Sequence, residues 1–143
     1  MTKEKHILMI EDNEGDVLLA KEALSSGEVP MRISVAGDGV AGIEYLENQM
    51  RNPQPELPDL ILLDINLPKK NGHEVLEFIK THDSFKQIPV VMLSTSSLPE
   101  DITNSYANHA NSFVTKPLEL DNFLHVVSQV EHFWLHVVKL PSK

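Results

Sequence analysis

Five short apolar runs, separated by segments with helical spacing, constrain the fold of this chain more than any other sequence feature. Each run has five or six residues and is rich in branched aliphatic side chains; the runs are residues 6–10, 32–36, 60–64, 89–94 and 112–116. The first, third and fourth are apolar almost throughout, as expected for parallel strands covered on both faces. This alternation predicts an α/β fold of (βα)5 type with an open, doubly wound parallel sheet.

Helices are predicted where apolar residues recur at three- or four-residue spacing between the strands. The apolar positions with this spacing are Val17, Ala20 and Leu24; Val40, Ile43 and Leu46; Val75, Leu76 and Ile79; Ile102 and Tyr106; and Phe123, Val127, Val130 and Trp134. One connection, residues 47–59, carries Pro53, Pro55 and Pro58, which are incompatible with a continuous helix or a central strand. A surface loop of extended character is expected there, with partner docking as the alternative.

Length and charge narrow the class of protein. A chain of 143 residues fits one domain, 1–143, and its net charge of -9 argues against binding the phosphate backbone of a nucleic acid. The absence of cysteine excludes disulfides and thiolate metal sites. No apolar run is long enough for membrane insertion, and the start lacks a signal peptide, so a cytoplasmic protein is expected.

Polar residues follow four of the predicted strands, at one edge of the sheet. They are Glu11 and Asp12, then Asp64, Ser94 and Lys116. In open parallel sheets, ligands bind outside the carboxyl ends of the strands. Any one acid there could simply cap a helix, but acids on neighbouring strands repel one another by about 4 kcal/mol at 4 Å and an effective dielectric near 20. A positive group must compensate them.

Two compensating charges are available, the Lys116 ammonium and a divalent cation. A site of carboxylates without thiols favours Mg2+ over zinc. Asp64 is then either a metal ligand only or a nucleophile that accepts a phosphoryl group. The second use is favoured, because a ligand-only site needs neither the lysine nor the Ser94 hydroxyl. Four acids in residues 11–16 argue against a nucleotide cofactor.

The same residues, at these separations, resemble the receiver domain of bacterial two-component response regulators over about residues 5–132. The matching features are an acidic pair after the first strand, Asp64 in LLDINLPKKNG, a hydroxyl residue 30 positions later, Ser94, and a Lys-Pro step 52 positions later, Lys116 and Pro117. The resemblance implies a flavodoxin-like fold with strand order 2-1-3-4-5. It also implies a phosphoacceptor signalling protein rather than an enzyme acting on a separate substrate.

By this resemblance, a sensor histidine kinase phosphorylates Asp64. Mg2+ is then held by Asp12, Asp64 and the main-chain carbonyl of Asn66, with Glu11 helping directly or through water. Lys116 pairs with the phosphoryl group, and Ser94 and Phe113 form the switch pair. Three positions depart from the common family pattern: Glu11 for Asp, Ser94 for Thr, and Thr95 for a smaller residue. The lifetime of the phosphoryl group is therefore left open.

The final segment, about 133–143, has more large apolar side chains than one helix face can bury against a sheet. Phe133, Trp134, Val137 and Leu140 are therefore expected at an interface, either of a homodimer or with a kinase, and the alternative is a tail folded back onto its own domain. This ending and the proline-rich loop resemble receivers that serve cyanobacterial phytochrome-type kinases. Two rival functions remain: a Mg2+-dependent phosphatase of the haloacid-dehalogenase type, although Asn66 replaces its second Asp, and an interaction module that is never phosphorylated.

Overall fold

The computed structural model describes residues 4–25 and 30–141, and shows strands and helices in strict alternation. The strands are β1 (Lys5–Ile10), β2 (Met31–Ala36), β3 (Leu60–Leu63), β4 (Val90–Ser94) and β5 (Ser112–Thr115). The helices are α1 (Glu14–Ser25), α2 (Gly39–Arg51), α3 (Gly72–Thr81), α4 (Pro99–Ala107) and α5 (Leu120–His132), the last followed by a π-helical turn, Phe133–Val137. The ends of the predicted domain, residues 1–3 and 142–143, lie outside the described residues.

The five strands form one parallel sheet in the order β2-β1-β3-β4-β5. The predicted doubly wound α/β fold and its strand order are therefore confirmed. In this order β1 and β3 are neighbours at the centre of the sheet, with Ile10 beside Leu63. Residues that follow these two strands consequently emerge side by side at the carboxyl edge.

The core has two layers, because alternate residues of each central strand point to opposite faces of the sheet. On one face, Leu8, Ile61 and Met92 pack with residues of α2 and α3. On the other face, strand residues such as Met9 and Leu62 pack with α1 and α5. Helix α4 lies against β5 and α3. None of the helices that the structure describes has both the length and the hydropathy needed to span a bilayer.

Several predicted boundaries differ from the observed ones. Helix α2 continues to Arg51, although the proline-rich connection was expected to begin at residue 47. Pro53 lies beyond the end of the helix and restricts the extended Asn52 before it, so residues 47–51 remain helical. The predicted last helix also included Trp134, whereas α5 ends at His132 and the chain continues as the π-helical turn.

The start of helix α3 lies directly against the end of β3. Asn71 caps this helix by accepting a hydrogen bond from the Glu74 amide at 3.0 Å, and the Glu74 carboxylate accepts from the Asn71 amide at 3.2 Å. The next residue, Gly72, donates its amide to the carbonyl of Ile65 at 2.8 Å. A Cβ atom on Gly72 would lie 2.2 Å from the carbonyl oxygen of Asp64. Only glycine permits this approach.

We expect Gly72→Ala to lower the free energy of unfolding by about 1–3 kcal/mol, because backbone atoms must shift to admit the methyl group. Gly37→Ala is the matched control, since a Cβ there meets no atom within 4 Å; it should stay within about 1 kcal/mol of the wild type. Urea unfolding followed by circular dichroism measures both. Equal stabilities of the two variants would show that the close approach at Gly72 is unimportant.

Candidate functional site

The polar residues predicted at the strand ends all lie at the carboxyl edge of the sheet. The Asp64 amide donates to the carbonyl of Ile10 at 3.1 Å, and the Lys116 amide donates to the carbonyl of Ser94 at 2.7 Å. These hydrogen bonds continue the backbone ladder one residue beyond the strands. Asp64 and Lys116 are therefore held by the sheet although each follows the last residue of its strand.

Three carboxylates converge at the centre of this edge. Glu11, Asp12 and Asp64 each offer an oxygen, and the three oxygens lie within 4.8 Å of one another. Glu11 and Asp64 are buried, with 3% and 7% of their surface exposed, while Asp12 is exposed. Oxygen ligands that are partly open to solvent suit a hard divalent cation that keeps some of its waters. The donor set therefore fits an ion such as Mg2+ or Mn2+.

The Lys116 ammonium lies among the acids and is also buried. Its Nζ contacts the Oε1 atom of Glu11, the Oδ2 atom of Asp16 at 2.9 Å and the Oδ2 atom of Asp64 at 3.4 Å. An ammonium group has three donors, and this arrangement offers one acceptor to each. Lys116 thus places a positive charge in direct contact with three of the acids at this edge.

Burial dominates the electrostatics of Glu11. It raises the pKa of the Glu11 carboxyl to about 7; the hydrogen bond from Lys116 opposes this, and the negative charge of Asp64 reinforces it. For Lys116, burial alone would lower the pKa, but its hydrogen bonds with Glu11 and Asp16 outweigh that and raise it. The lysine therefore stays charged, while Glu11 binds a proton more readily than an exposed glutamate does.

Residues 7–128 match the family model of the response regulator receiver domain. The chain belongs to this family. The resemblance inferred from the strand-end residues is therefore confirmed. The alternative of a haloacid-dehalogenase phosphatase is set aside.

Relatives of known structure agree with this assignment. Response regulator Rcp1 of a Synechocystis species is 40% identical over 138 residues, which are 96% of this chain and 94% of that protein. The crystal structure of a phosphorylated cyanobacterial phytochrome response regulator, RcpA, superposes with a TM-score of 0.93 at 43% identity, covering 98% of this chain and all of that one. A Mn2+-bound form of Rcp1 gives 0.88 at 40% identity, covering 96% and 99%.

Membership of the family establishes what kind of protein this receiver domain is. It is a phosphoacceptor signalling protein of a two-component system, related to phytochrome response regulators, and its partner is a histidine kinase. It carries an acidic metal site at the carboxyl edge of its sheet, formed by Glu11, Asp12 and Asp64.

The receiver's predicted switch residues lie on adjacent strands beside this site. Ser94 is fully buried at the end of β4, and its hydroxyl accepts a hydrogen bond from the Ser96 amide at 3.2 Å. Phe113, on β5, is partly buried and packs against the core layer beneath α2 and α3. Asn66 is exposed, and its main-chain N–H donates to the Oδ1 atom of Asp64 at 3.4 Å.

The four predicted interface residues are not equivalent in the structure. Phe133 and Val137 have 50% and 55% of their surface exposed. Trp134 and Leu140 instead pack against the core layer beneath α1 and α5. The segment after α5 therefore buries part of its apolar surface on its own domain and leaves Phe133 and Val137 outside.

Asp16 belongs to the site but was not among the predicted site residues. It lies in the first turn of α1, where an acid is ordinarily explained by the helix dipole. Its contact with Lys116 joins residues 100 positions apart. In the sequence, Asp16 is one of four acids in residues 11–16. That pattern does not reveal which of the four faces the lysine.

The raised pKa of Glu11 predicts a pH dependence of stability without divalent metal. Between the ordinary value of 4.5 and about 7, the folded protein holds a proton that the unfolded chain has lost. This stabilising contribution is complete below pH 4.5 and is lost as the pH rises through 7. Relative to Glu11→Gln, the wild type should lose about 2–3 kcal/mol of unfolding free energy from pH 4.5 to pH 8.

Chemical denaturation in the presence of a chelator, at several pH values, measures this difference. The Glu14→Gln variant, which changes an exposed acid at the start of α1, should follow the wild-type curve. If Glu11→Gln follows the wild-type curve as well, burial of Glu11 does not control the pH dependence.

Proposed function

We propose that Asp64 is the residue of this receiver that accepts the phosphoryl group, in a reaction that requires Mg2+. The observation that supports this most directly is the contact of the buried Lys116 ammonium with Asp64, at a point where two further carboxylates converge. A carboxylate held beside a fixed positive charge is suited to attack a phosphorus atom, because the same charge stabilises the extra negative charge of the product.

The transfer from a kinase is a displacement at phosphorus. An oxygen of Asp64 forms a bond to phosphorus as the bond from phosphorus to the kinase histidine nitrogen breaks, and the electron pair leaves with that nitrogen. Lys116 donates a hydrogen bond to a phosphoryl oxygen, which requires only a short shift from its position 3.4 Å from Asp64. Asp12, Asp64 and the Asn66 carbonyl would hold Mg2+, with Glu11 helping directly or through water, and the ion would supply charge neutralisation for the phosphoryl group.

The signal is carried by Ser94 and Phe113. A phosphoryl group adds a charge of about -1.5 to -2 and new acceptor oxygens. The Ser94 hydroxyl now accepts from the Ser96 amide, so its proton remains to be donated to such an oxygen. Movement of Ser94 toward Asp64 shifts the β4–α4 loop and opens space into which the partly buried ring of Phe113 turns.

The kinase partner is proposed to be of phytochrome type, and the setting cytoplasmic. The support comes from the relatives, since Rcp1 and RcpA share 40% and 43% of their aligned residues with this chain and RcpA is described as a phytochrome response regulator. The exposed side chains Phe133 and Val137 are the proposed contacts of a homodimer. Trp134 and Leu140 support that surface from beneath.

Asp64→Asn should abolish phosphorylation by acetyl phosphate with Mg2+, because an amide oxygen cannot form the acyl phosphate. Intact mass spectrometry should detect one added phosphoryl group on the wild type and none on the variant. Asp83→Asn removes a carboxylate whose side chain is 97% exposed and should be modified like the wild type. An unmodified wild type would support an interaction module that is never phosphorylated, and a modified Asp64→Asn would place the acceptor elsewhere.

Replacing Phe133 and Val137 by serine should weaken self-association about tenfold or more, since apolar anchors dominate such contacts. Because both side chains are half exposed, the free energy of unfolding should change little. Leu118→Ser, at a residue 94% exposed, is the control and should associate like the wild type. Sedimentation velocity over a range of concentrations measures the difference, and equal dissociation constants for all three proteins would remove this surface from the proposal.

A further inference from the structure

A second polar network lies beside the acidic site, between the start of α3 and the β4–α4 loop. The Oδ1 atom of Asp101 lies 3.2 Å from the Nε2 atom of His73, and its Oδ2 atom accepts from the Ser96 hydroxyl at 2.5 Å. The Ser96 amide in turn donates to the Ser94 hydroxyl oxygen at 3.2 Å. We call His73, Ser96 and Asp101 the clasp. One carboxylate thus joins two helices and the loop that follows β4.

The proton of this network can be assigned from its chemistry. A carboxylate only accepts hydrogen bonds, so the Nε2 atom of His73 must carry a proton to bond with Asp101. The other ring nitrogen, Nδ1, is buried and has no hydrogen-bond partner among the residues that the structure describes. The hydrogen bonds from Ser96 and then His73 hold the pKa of the Asp101 carboxyl below its ordinary value, so it remains an acceptor.

The two ends of the clasp lie close to Asp64 and Ser94, the two residues that approach each other in the proposed switch. His73 follows Gly72, whose Cα is so close to the Asp64 carbonyl that a Cβ would meet it at 2.2 Å. Ser96 is two residues beyond Ser94. The clasp therefore connects the backbone of Asp64 with the loop of Ser94 by a route that passes through no residue of the acidic site.

The clasp also makes the loop and the start of α4 into one hydrogen-bonded unit. The Ser96 hydroxyl accepts from the Leu98 amide at 3.4 Å, and the Asp101 amide donates to the Leu98 carbonyl at 3.0 Å. The Ser105 hydroxyl donates to the Asp101 carbonyl at 2.8 Å. Because the side chains of His73 and Asp101 are each only 21% exposed, water competes weakly for their contact.

We propose that His73 and Asp101 are positioning residues that hold the β4–α4 loop in its present conformation and thereby oppose the movement of Ser94 toward a phosphoryl group on Asp64. This inference rests on the proposed roles of Asp64 and Ser94. Hydrogen bonds that are lost when the loop moves subtract from the free energy that phosphorylation makes available for the change. Substitutions that remove the hydrogen bonds of the clasp should therefore lower the free-energy cost of moving the β4–α4 loop.

The test is the affinity for beryllofluoride, a phosphoryl mimic, at saturating Mg2+. His73→Leu and Asp101→Asn should bind it roughly three- to tenfold more tightly than the wild type, the change expected for losing about one hydrogen bond. His73→Gln keeps a side-chain N–H donor and should return the affinity to that of the wild type. Glu100→Gln, at an exposed acid beside Asp101, controls for the change of charge.

The sign of the effect separates positioning from a structural role. A loss of structure alone lowers the unfolding free energy and leaves beryllofluoride binding unchanged or weaker. In 1H-15N spectra of the Mg2+-loaded protein without beryllofluoride, the Ser96 amide of His73→Leu should move toward its position in the beryllofluoride-bound wild type. A His73→Leu variant that binds beryllofluoride no more tightly than the wild type would overturn the inference, whatever the position of its Ser96 signal.

Failure of the underlying function gives a different result. If the wild type does not bind beryllofluoride, or if Asp64→Asn binds it equally well, the role of Asp64 is wrong and the inference about the clasp falls with it. If the wild type binds and Asp64→Asn does not, but the clasp variants bind no more tightly, only the clasp is refuted.

Discussion

The contact of one buried ammonium group with three carboxylates is the interaction on which the site depends. Parallel β1 and β3 place Glu11 and Asp64 side by side, and two unit charges about 4 Å apart repel each other by about 4 kcal/mol at an effective dielectric near 20. Lys116 offsets that repulsion from β5, two strands away from Asp64. The same ammonium contacts Asp64. The group that offsets the repulsion between the acids is therefore also positioned to donate a hydrogen bond to a phosphoryl oxygen on Asp64.

The backbone makes this arrangement rigid without any contribution from the acids themselves. Hydrogen bonds extend the sheet ladder through Asp64 and Lys116, and Gly72 brings the start of α3 onto the Asp64 carbonyl. Repulsion among the carboxylates therefore cannot relax by moving the chain. Protonation of Glu11, the Lys116 ammonium and a bound cation each relieve it. Burial is the larger cause of the raised Glu11 pKa of about 7, and the negative charge of Asp64 adds to it.

The fold and the centre of the site were predictable from the sequence because both follow from local patterns. Apolar runs give the strands, their alternation with helices gives a parallel sheet, and the residues after the runs must then share one edge. Asp16, the clasp and the choice of which tail residues pack on the domain, such as the partly buried Trp134, were not predictable in the same way. Each depends on which direction a side chain takes from its helix, and that is set by packing between elements far apart in sequence.

The acidic site and the clasp have different effects. In the proposed function, the acidic site stabilises the phosphoryl group, whereas the clasp stabilises one conformation of the β4–α4 loop. In the proposed function, Lys116 attracts Asp64 before phosphorylation and the phosphoryl group afterwards, so its charge favours the transfer and discriminates weakly between the two conformations of the loop. The hydrogen bonds of His73, Asp101 and Ser96 involve no reacting atom and count only for the conformation in which they form. A receiver can therefore retain the same acidic site and change its sensitivity through residues at the start of α3 and α4.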